Sequence, residues 1–530
     1  MSAKATKFDS LARYEATIDS MFRRAVEKWP ERAFVIGDGK RITYLEMSQL
    51  VDVAAHGLQA LGVGTGDRVA VWMSNIWEWI VIQFAVTRIG AVLTPLNTRL
   101  RIDDLRHTLE DSGACVLVTQ ERSREFSYVD IVRAIIRDPA DVPALRHVVV
   151  ARAESALPKP FVPWSLFIEG AETDRQKLSP EQDPRKLAYI LYTSGTTSLP
   201  KGVMLSHVSL NNAFNLTANL QDGDVAFMAS PLFAITGCHN TVLSLLLLGG
   251  CIVLQERFDP DEAIGMIETY QATMIACIVN ILAEMAKARG FRKDRVASLR
   301  TAYIFPRRPE HLELLRTFGL KYAATGYGMT ETGGPVTNTV DLEVDEMESE
   351  GRPWPGDDVR VVDSARADVP AGAEGNILVR SPHVMLGYFN RSDVNQQMFD
   401  ADGWLNTGDV GRLDANGRLR WVGRHSDMYK CSGFNVASLE VEAFLAQHPA
   451  ISQVAVVGVP DAAKGEVGAA FVVASGDQTV DLSLIREFCE DRIASYKVPG
   501  HVIQLPALPR TASGKVRKIE LKAMIERSKG

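Results

Sequence analysis

Residues 187–202 read LAYILYTSGTTSLPKG. The stretch opens as an apolar strand and breaks into hydroxyls, two glycines and a lysine. Glycines let backbone N–H groups approach an anion, hydroxyls donate further hydrogen bonds, and lysine supplies charge. A buried strand running straight into such a loop reads as a phosphate site on an α/β sheet. It is not a Walker A loop: Pro200 stands where a second glycine is needed, and Gly202 follows Lys201 where Ser or Thr is required. The alternative is an ordinary Ser/Thr/Gly surface loop, but the strand before it and Pro-Lys-Gly after it favour the phosphate. By contrast, Gly62-Val63-Gly64-Thr65-Gly66 follows a helix and reads as a helix stop and turn.

Outward from this loop, the first third alternates helices and strands. The spacing of apolar residues predicts helices over 46–61, 77–88 and 102–111, and strands over 68–73, 90–96 and 114–119. This βαβ rhythm favours a parallel sheet covered by helices, and it returns across 203–325. Residues 151–185 are polar and Pro-rich, as expected of a surface excursion. After about residue 340 strands shorten and turns multiply, and Asn416-Gly417 marks a hairpin. From about residue 425 the pattern is mixed, with helices over 439–447 and 482–493 and strands over 454–459 and 469–474. The expected fold class is α/β: a large N-terminal domain, 1–424, of parallel-rich sheets packed with helices plus a distorted β-barrel. A small α+β domain, 425–530, follows.

Composition sets outer bounds. The chain has 530 residues, 46% hydrophobic and 23% charged, which is globular usage rather than disordered or fibrous. The net charge of −7 offers no global attraction to nucleic acid or an anionic membrane. The basic tail with Lys515, Arg517, Lys518, Lys522, Arg527 and Lys529 lacks interleaved aromatics, so it reads as a solvated helix face. Six cysteines without CxxC or CxxH spacing argue against a disulfide framework or a zinc knuckle. No apolar h-region opens the chain, and the longest apolar run, 241–254, is too short to span a bilayer. The expected setting is the cytoplasm. His207 and His383 stand alone and receive no role.

The loop at 193–202 resembles the first signature of the adenylate-forming superfamily, which includes acyl-CoA synthetases, peptide-synthetase adenylation domains and luciferases. Other segments match that family in order. Tyr327-Gly328-Met329-Thr330-Glu331 is similar to its second signature and Thr407-Gly408-Asp409 to its third. Gly423-Arg424 with Lys430, Gly433 and Glu440-Val441-Glu442 resembles the fourth, and Pro509 to Lys515 the C-terminal lysine motif. The match spans nearly the whole chain, and segments in register are far more specific than any one alone.

The resemblance implies a two-step reaction. A carboxylate attacks the α-phosphate of ATP, giving an acyl-adenylate and pyrophosphate; a thiol then displaces AMP. It implies that Thr193, Ser194, Gly195, Thr196, Thr197 and Lys201 cradle phosphates, that Glu331 holds Mg2+, and that Thr330 bonds the α-phosphate. Tyr327 would offer a flat face to adenine. Asp409 would accept the ribose hydroxyls, reinforced by Arg424. Lys515 would neutralise charge at the reacting oxygen, while Lys430 and Gly433 would approach the thiol. Read alone, Asp409 is more readily a turn-capping aspartate and Lys515 a member of the basic tail; the register with the other motifs reverses that. By position only, Phe233, Ala234, Gly237, His239, Tyr303, Phe305 and Gly328 would line the acid pocket.

Four departures from the family pattern stand out. Ser198 replaces a common glycine. Ala234 replaces a ring near the substrate carboxylate, for which His239 is a candidate substitute. Tyr303 to Pro306 replace a small, glycine-rich segment. Ser426 occupies the hinge position about which the C-terminal domain would rotate. His239 and Asn240 hint at a polar group on the acid; alternatively they face solvent or cap a helix. The expected function is an ATP-dependent carboxylate–CoA ligase of the fatty-acid or aromatic-acid type. Its partners would be a carboxylic acid, ATP, Mg2+ and CoA, without nucleic acid, in a monomer or homodimer. No carrier-protein domain follows Lys515, but an acyl-AMP ligase that loads a carrier protein, or a catalytically dead nucleotide-binding protein, remains an alternative.

Overall fold

The computed structural model describes residues 15–154, 157–169, 178, 180–193, 200–277, 279–304, 311–320, 322–339, 349–424, 427–431, 434–461, 464–490, 492–493, 495–510 and 515–528. The chain divides into two compact units, one of 1–358 with 380–403 and one of 359–379 with 404–530.

In the first unit the helix Trp77–Arg88 sets the layering. Every one of its residues is buried, so it must be covered on all sides. On one side Phe84 stacks on Phe22 at 4.3 Å and approaches Phe34, in the strand Ala33–Gly37, at 6.0 Å. On the other, Gln83 Nε2 donates to Tyr189 Oη at 2.8 Å, in the strand Leu187–Thr193. Those strands belong to different sheets, so the helix is a filling between two sheets. Its buried charges are paired, as burial requires: Glu78 with Arg152 at 3.0 Å, and Arg88 with Asp19 at 2.8 Å and with Asp52.

The first sheet has eight strands in the order Gly387–Tyr388, Lys201–Ser206, Leu187–Thr193, Val92–Pro95, Arg68–Trp72, Val116–Gln120, His147–Ala151, Phe161–Pro163. It is parallel from Leu187–Thr193 to Phe161–Pro163 and antiparallel at its two other pairings. The second has seven: Tyr322–Ala324, Thr301–Ile304, Met274–Cys277, Val225–Met228, Cys251–Leu254, Ala33–Gly37 and Lys40–Thr43. Only the last pairing is antiparallel. The expected helices and strands of the first third are present with ends shifted by one or two residues. The polar excursion at 151–185 is not wholly outside the sheet: Phe161–Pro163 pairs with His147–Ala151, and the helix Trp164–Glu169 buries Phe167.

Glu256 ties the two sheets together. It follows Cys251–Leu254 of the second sheet, and its Oε1 lies 3.0 Å from Ser74 Oγ and 3.2 Å from Gln120 Nε2 of the first, with Ser123 Oγ also donating. Burial alone would push its carboxyl up, but the hydrogen bonds from Ser123, Ser74 and Gln120 and the charge of Arg152 bring it below the ordinary glutamate range. A carboxyl lowered on folding stabilises the fold above its unfolded pKa, and that contribution fades as pH falls through the folded value. Glu256→Gln should therefore lower the apparent Tm by roughly a few degrees at pH 7. The gap should close as pH drops below about 4.3, the ordinary glutamate value. Melting curves from pH 3.5 to 7 test this; a gap that does not change with pH assigns the loss to packing.

In the second unit, one four-stranded sheet runs in the order Asp358–Val362, Gly375–Arg380, Leu405–Leu413, Leu419–Arg424, the last two joined through the Asn416-Gly417 turn, where Gly417 has φ +73°. A second sheet joins Phe434–Ala437, Met428–Cys431, Gly465–Ala474 and Ile451–Asp461, with His501–Gln504 parallel to Gly465–Ala474. The helices Ser438–Leu445, Leu482–Cys489 and Lys518–Ser528 contribute Val441, Leu445, Ile485 and Leu521 to its core. Residues 359–379 and 404–424, expected with the N-terminal body, group with this unit. Among the described residues no helix is long and apolar enough to cross a membrane.

Candidate active site

Thr193 and Lys201 face each other at the open end of the hairpin formed by Leu187–Thr193 and Lys201–Ser206. The loop residues Ser194, Gly195, Thr196, Thr197 and Ser198 lie outside the described residues. Gly202 keeps the stem tight, since a Cβ there would sit 2.7 Å from Ile190 Cγ2 and 3.2 Å from the Tyr192 ring. The Tyr192 hydroxyl donates to Asp111 Oδ2 at 2.7 Å, and Arg391 holds Asp111 Oδ1 at 3.2 Å. Burial, then the Asp111 carboxylate, push the Tyr192 phenol well up, so it stays a donor. The base of the loop is thus anchored to the helix Ile102–Ser112 and to residue 391.

The second motif is a small hairpin in which Gly328–Met329 pairs with Gly334–Pro335. A Cβ on Gly328 would meet Gly334 O at 2.3 Å, so this crossing needs glycine. Between the strands, Thr330–Thr332 makes one 3₁₀ turn, closed by Gly333 at φ +66°. Thr332 Oγ1 accepts from Met329 N at 2.9 Å and donates to Gly334 O at 2.7 Å. Tyr327 is buried, its N–H donating to Thr337 Oγ1 at 2.8 Å.

The turn aims Glu331 at the hairpin. Glu331 is buried, and its Oε1 accepts from Tyr388 Oη at 2.8 Å. Its carbonyl accepts from Met385 N at 2.8 Å. Lys201 Nζ lies 5.3 Å from the centroid of the same Tyr388 ring. The structure therefore brings Lys201 over the ring of the phenol whose hydroxyl donates to Glu331. Tyr388 was not legible as a site residue: it sits in Met385-Leu386-Gly387-Tyr388-Phe389, without charge or periodic signal, and only its pairing with Val203 reveals it.

The expected acid-pocket residues divide. Phe233 and Ala234 are half-buried in the turn before a π-helix, Thr236–Thr241, a local widening often found at functional sites. Gly237 is required there, since a Cβ would lie 2.2 Å from Pro231 O. His239 is fully buried. Its Nε2 meets Leu210 O at 2.7 Å and its Nδ1 meets the Asn240 amide at 2.7 Å. Burial pushes its basicity down, against the hydrogen bonds to Asn240 and Leu210 that raise it. Both nitrogens are engaged within the fold, so His239 does not replace the ring missing at Ala234; it orients Asn240. Neither residue faces open solvent. A Cβ on Gly334 would come within 3.1 Å of Asn240 Oδ1, which places this amide beside the Glu331 hairpin. Tyr303 is tied elsewhere: its hydroxyl donates to Leu216 O at 3.0 Å and accepts from Asn219 Nδ2 at 2.5 Å. Small strand neighbours, Ala276 and Ala324, make room for its ring. Phe305 lies outside the described residues.

The second unit carries the remaining candidates. Asp409 is buried and stands opposite Arg424 in the ladder, with Arg424 Nε 3.5 Å from Asp409 Oδ1. Lys430 is exposed because its neighbour Tyr429 is buried and strand residues alternate. Its N–H donates to Glu466 Oε2 at 2.8 Å. Lys515 is exposed and stands next to Val516, which bridges Arg510. Gly433 and Ser426 lie outside the described residues.

Among the described residues no group of three or more His, Cys, Asp or Glu could hold a metal. The buried Glu331 carboxylate, beside the hairpin that carries Lys201, suits Mg2+, which keeps its waters and takes one or two carboxylates plus substrate phosphates. It does not suit zinc, which needs a closed set of protein ligands.

Two family models match the chain: "AMP-binding enzyme" over residues 22–389 and "AMP-binding enzyme C-terminal domain" over 440–515. A 7a-methyl-1,5-dioxo-octahydro-indenyl propanoyl:CoA ligase from Mycobacterium tuberculosis is 33% identical over 96% of this chain and 99% of its own. The anthranilate CoA ligase AuaEII in complex with anthranoyl-AMP has a TM-score of 0.85 at 25% identity, covering 97% of this chain and 98% of that one. O-succinylbenzoate coenzyme A synthetase from Bacillus subtilis, with ATP and magnesium ion, has a TM-score of 0.79 at 26% identity, covering 95% and 99%.

Proposed function

We propose how this chain, which belongs to the AMP-binding enzyme family, divides its chemistry among the residues above. It is an ATP-dependent, AMP-forming carboxylate–CoA ligase that uses Mg2+. A carboxylate oxygen bonds to the α-phosphorus of ATP while the bond to pyrophosphate breaks. The CoA sulfur then bonds to the acyl carbon, the carbon–oxygen bond to AMP breaks, and the thiol proton leaves to solvent.

In our assignment Thr193, Lys201 and the loop 194–197 cradle the β- and γ-phosphates. Glu331 holds Mg2+, which when bound neutralises phosphate charge. Thr330 bonds the α-phosphate and Tyr327 faces adenine. Asp409 accepts the ribose hydroxyls and Arg424 steadies Asp409. Lys515 supplies positive charge to the reacting oxygens, and Lys430 and Gly433 serve the thiol step. The observation that carries this reading is the Lys201–Tyr388–Glu331 grouping: a phosphate-side cation and a metal-side carboxylate, remote in sequence, that meet one tyrosine, the first over its ring and the second at its hydroxyl.

For the acid, the small Ala234 and the half-buried Asn240 amide support a body with a polar group, set among Phe233, Ala234, Gly237 and Gly328. The M. tuberculosis relative, a ligase for a diketone acid, fits that class. We place the enzyme in the cytoplasm as a monomer or homodimer, with 425–530 moving as the mobile part. Free Cys115, Cys238, Cys251, Cys431 and Cys489 agree with a reducing compartment.

The test mixes enzyme, ATP and Mg2+ with short, medium, aromatic and hydroxylated acids. Pyrophosphate release that depends on the acid, with consumption of free CoA, is expected. Pyrophosphate without CoA consumption points to a carrier-protein acceptor, and no pyrophosphate with any acid to a dead site.

A further inference from the structure

We infer that Tyr388 is a positioning residue that keeps Glu331 and Lys201 apart and aimed, the first through its hydroxyl and the second through its ring face. The inference rests on the roles proposed above for those two residues. Were this carboxylate and this ammonium to pair directly, each would be lost to the substrate. The phenol engages each of them separately. Its O–H fixes Glu331 Oε1 at 2.8 Å without neutralising the carboxylate. Lys201 Nζ, at 5.3 Å from the ring centroid, is within cation–π reach.

Tyr388 is itself locked in place. Its N–H donates to Asn395 Oδ1 at 2.7 Å and its carbonyl accepts from Asn395 Nδ2 at 2.9 Å. It pairs with Val203 in the sheet, and Phe389 N donates to Gly202 O at 2.8 Å. Gly387, at φ +130°, leaves room for Asn395, whose Nδ2 would lie 2.9 Å from any Cβ there. Residues 385–389 are thus a strap fastened to the phosphate hairpin at one side and to the Glu331 turn at the other. A ring kept only for packing would need no hydroxyl, and phenylalanine would serve.

The experiment is equilibrium binding of ATP to the full chain by calorimetry, with Mg2+ or with EDTA, for wild type, Tyr388→Phe and Glu331→Gln. Tyr388→Phe keeps the spacer ring and removes one hydrogen bond to a charged group. It should weaken Mg2+–ATP binding by about tenfold or more and leave binding in EDTA unchanged. Combined with Glu331→Gln it should add nothing. Should Tyr388→Phe fail to fold, Asn395→Ala, which releases both backbone hydrogen bonds that lock Tyr388 and leaves Glu331 and Lys201 in place, carries the same expectation in weaker form. Normal Mg2+–ATP binding in Tyr388→Phe alongside weak binding in Glu331→Gln overturns the role of Tyr388 and spares that of Glu331. Normal binding in both overturns the magnesium role of Glu331 and the inference with it. Equal weakening with and without Mg2+ makes Tyr388 a packing residue and also overturns it.

Discussion

Lys515→Ala is expected to lose adenylate formation by at least a hundredfold while thioester formation from supplied acyl-AMP survives. Two anions, a carboxylate and a phosphate, must meet in the first step, so a cation aimed at the developing charge acts mainly in the transition state. Such contacts are worth about 3–4 kcal/mol, and about 1.4 kcal/mol is a factor of ten. The second step releases AMP from a neutral acyl carbon and does not need that charge. The surroundings make the experiment clean. Lys515 is exposed, so alanine there leaves no cavity. The chain after it is tied back by the Arg510–Val516 bridge and by Arg517 N donating to Pro509 O at 2.8 Å. The helix after it is fastened by Lys518, whose Nζ lies 2.8 Å from Glu442 Oε1, which also accepts from Val456 N at 2.7 Å. A loss of rate in a mutant whose melting curve is unchanged therefore reports chemistry rather than unfolding. The rate of each half-reaction, measured separately with melting curves alongside, is the check. An equal fall in both steps removes Lys515 from the first.

What the sequence shows of this protein is what local pattern can carry. The helix Trp77–Arg88 has both its ends in the apolar spacing, but spacing cannot tell a one-sided helix from one buried all round; that follows from Phe34 and Tyr189 closing on it from two sheets. The hydroxyl-rich loop, the Tyr327–Glu331 hairpin and the Asn416-Gly417 turn are each set by residues within a few positions of one another, and each is legible. Tyr388 is not, because its meaning lies in Glu331, 57 positions away, and in a strand pairing with Val203. Asp111, 81 positions from Tyr192, is hidden for the same reason. His239 misleads in the other direction: a polar ring in an apolar run suggests a ligand, and the fold uses both nitrogens itself. Residues 404–424 form a recognisable hairpin, but which body they join depends on the pairing of Gly375–Arg380 with Leu405–Leu413, a long-range choice.

Asp409→Ala is expected to raise the KM for ATP about tenfold to a hundredfold, with the turnover of adenylation changed far less. A carboxylate accepting two ribose hydroxyls makes charged hydrogen bonds worth about 1.5–3 kcal/mol, and the ribose is bound alike in ground and transition states, so the loss falls on binding. The strand prepares Asp409 for this. Gly408 turns the backbone at φ +71°, and Thr407 Oγ1 donates to Ile377 O at 2.8 Å and accepts from Asp409 N at 3.1 Å. Arg424, opposite in the ladder, keeps 39% of its side chain exposed, so water can solvate it when its neighbour is gone and the fold loses little. Deoxy-ATP analogues separate the ribose role from a general weakening. Wild type should bind 2′- or 3′-deoxy-ATP worse than ATP, whereas Asp409→Ala should no longer tell them apart, because the partner of the missing hydroxyl has already been removed. Asp409→Asn, which keeps one acceptor oxygen without the charge, should fall between. A folded Asp409→Ala protein that still discriminates against the deoxy analogues returns Asp409 to the role of a turn residue, and the ribose must then find its acceptor elsewhere.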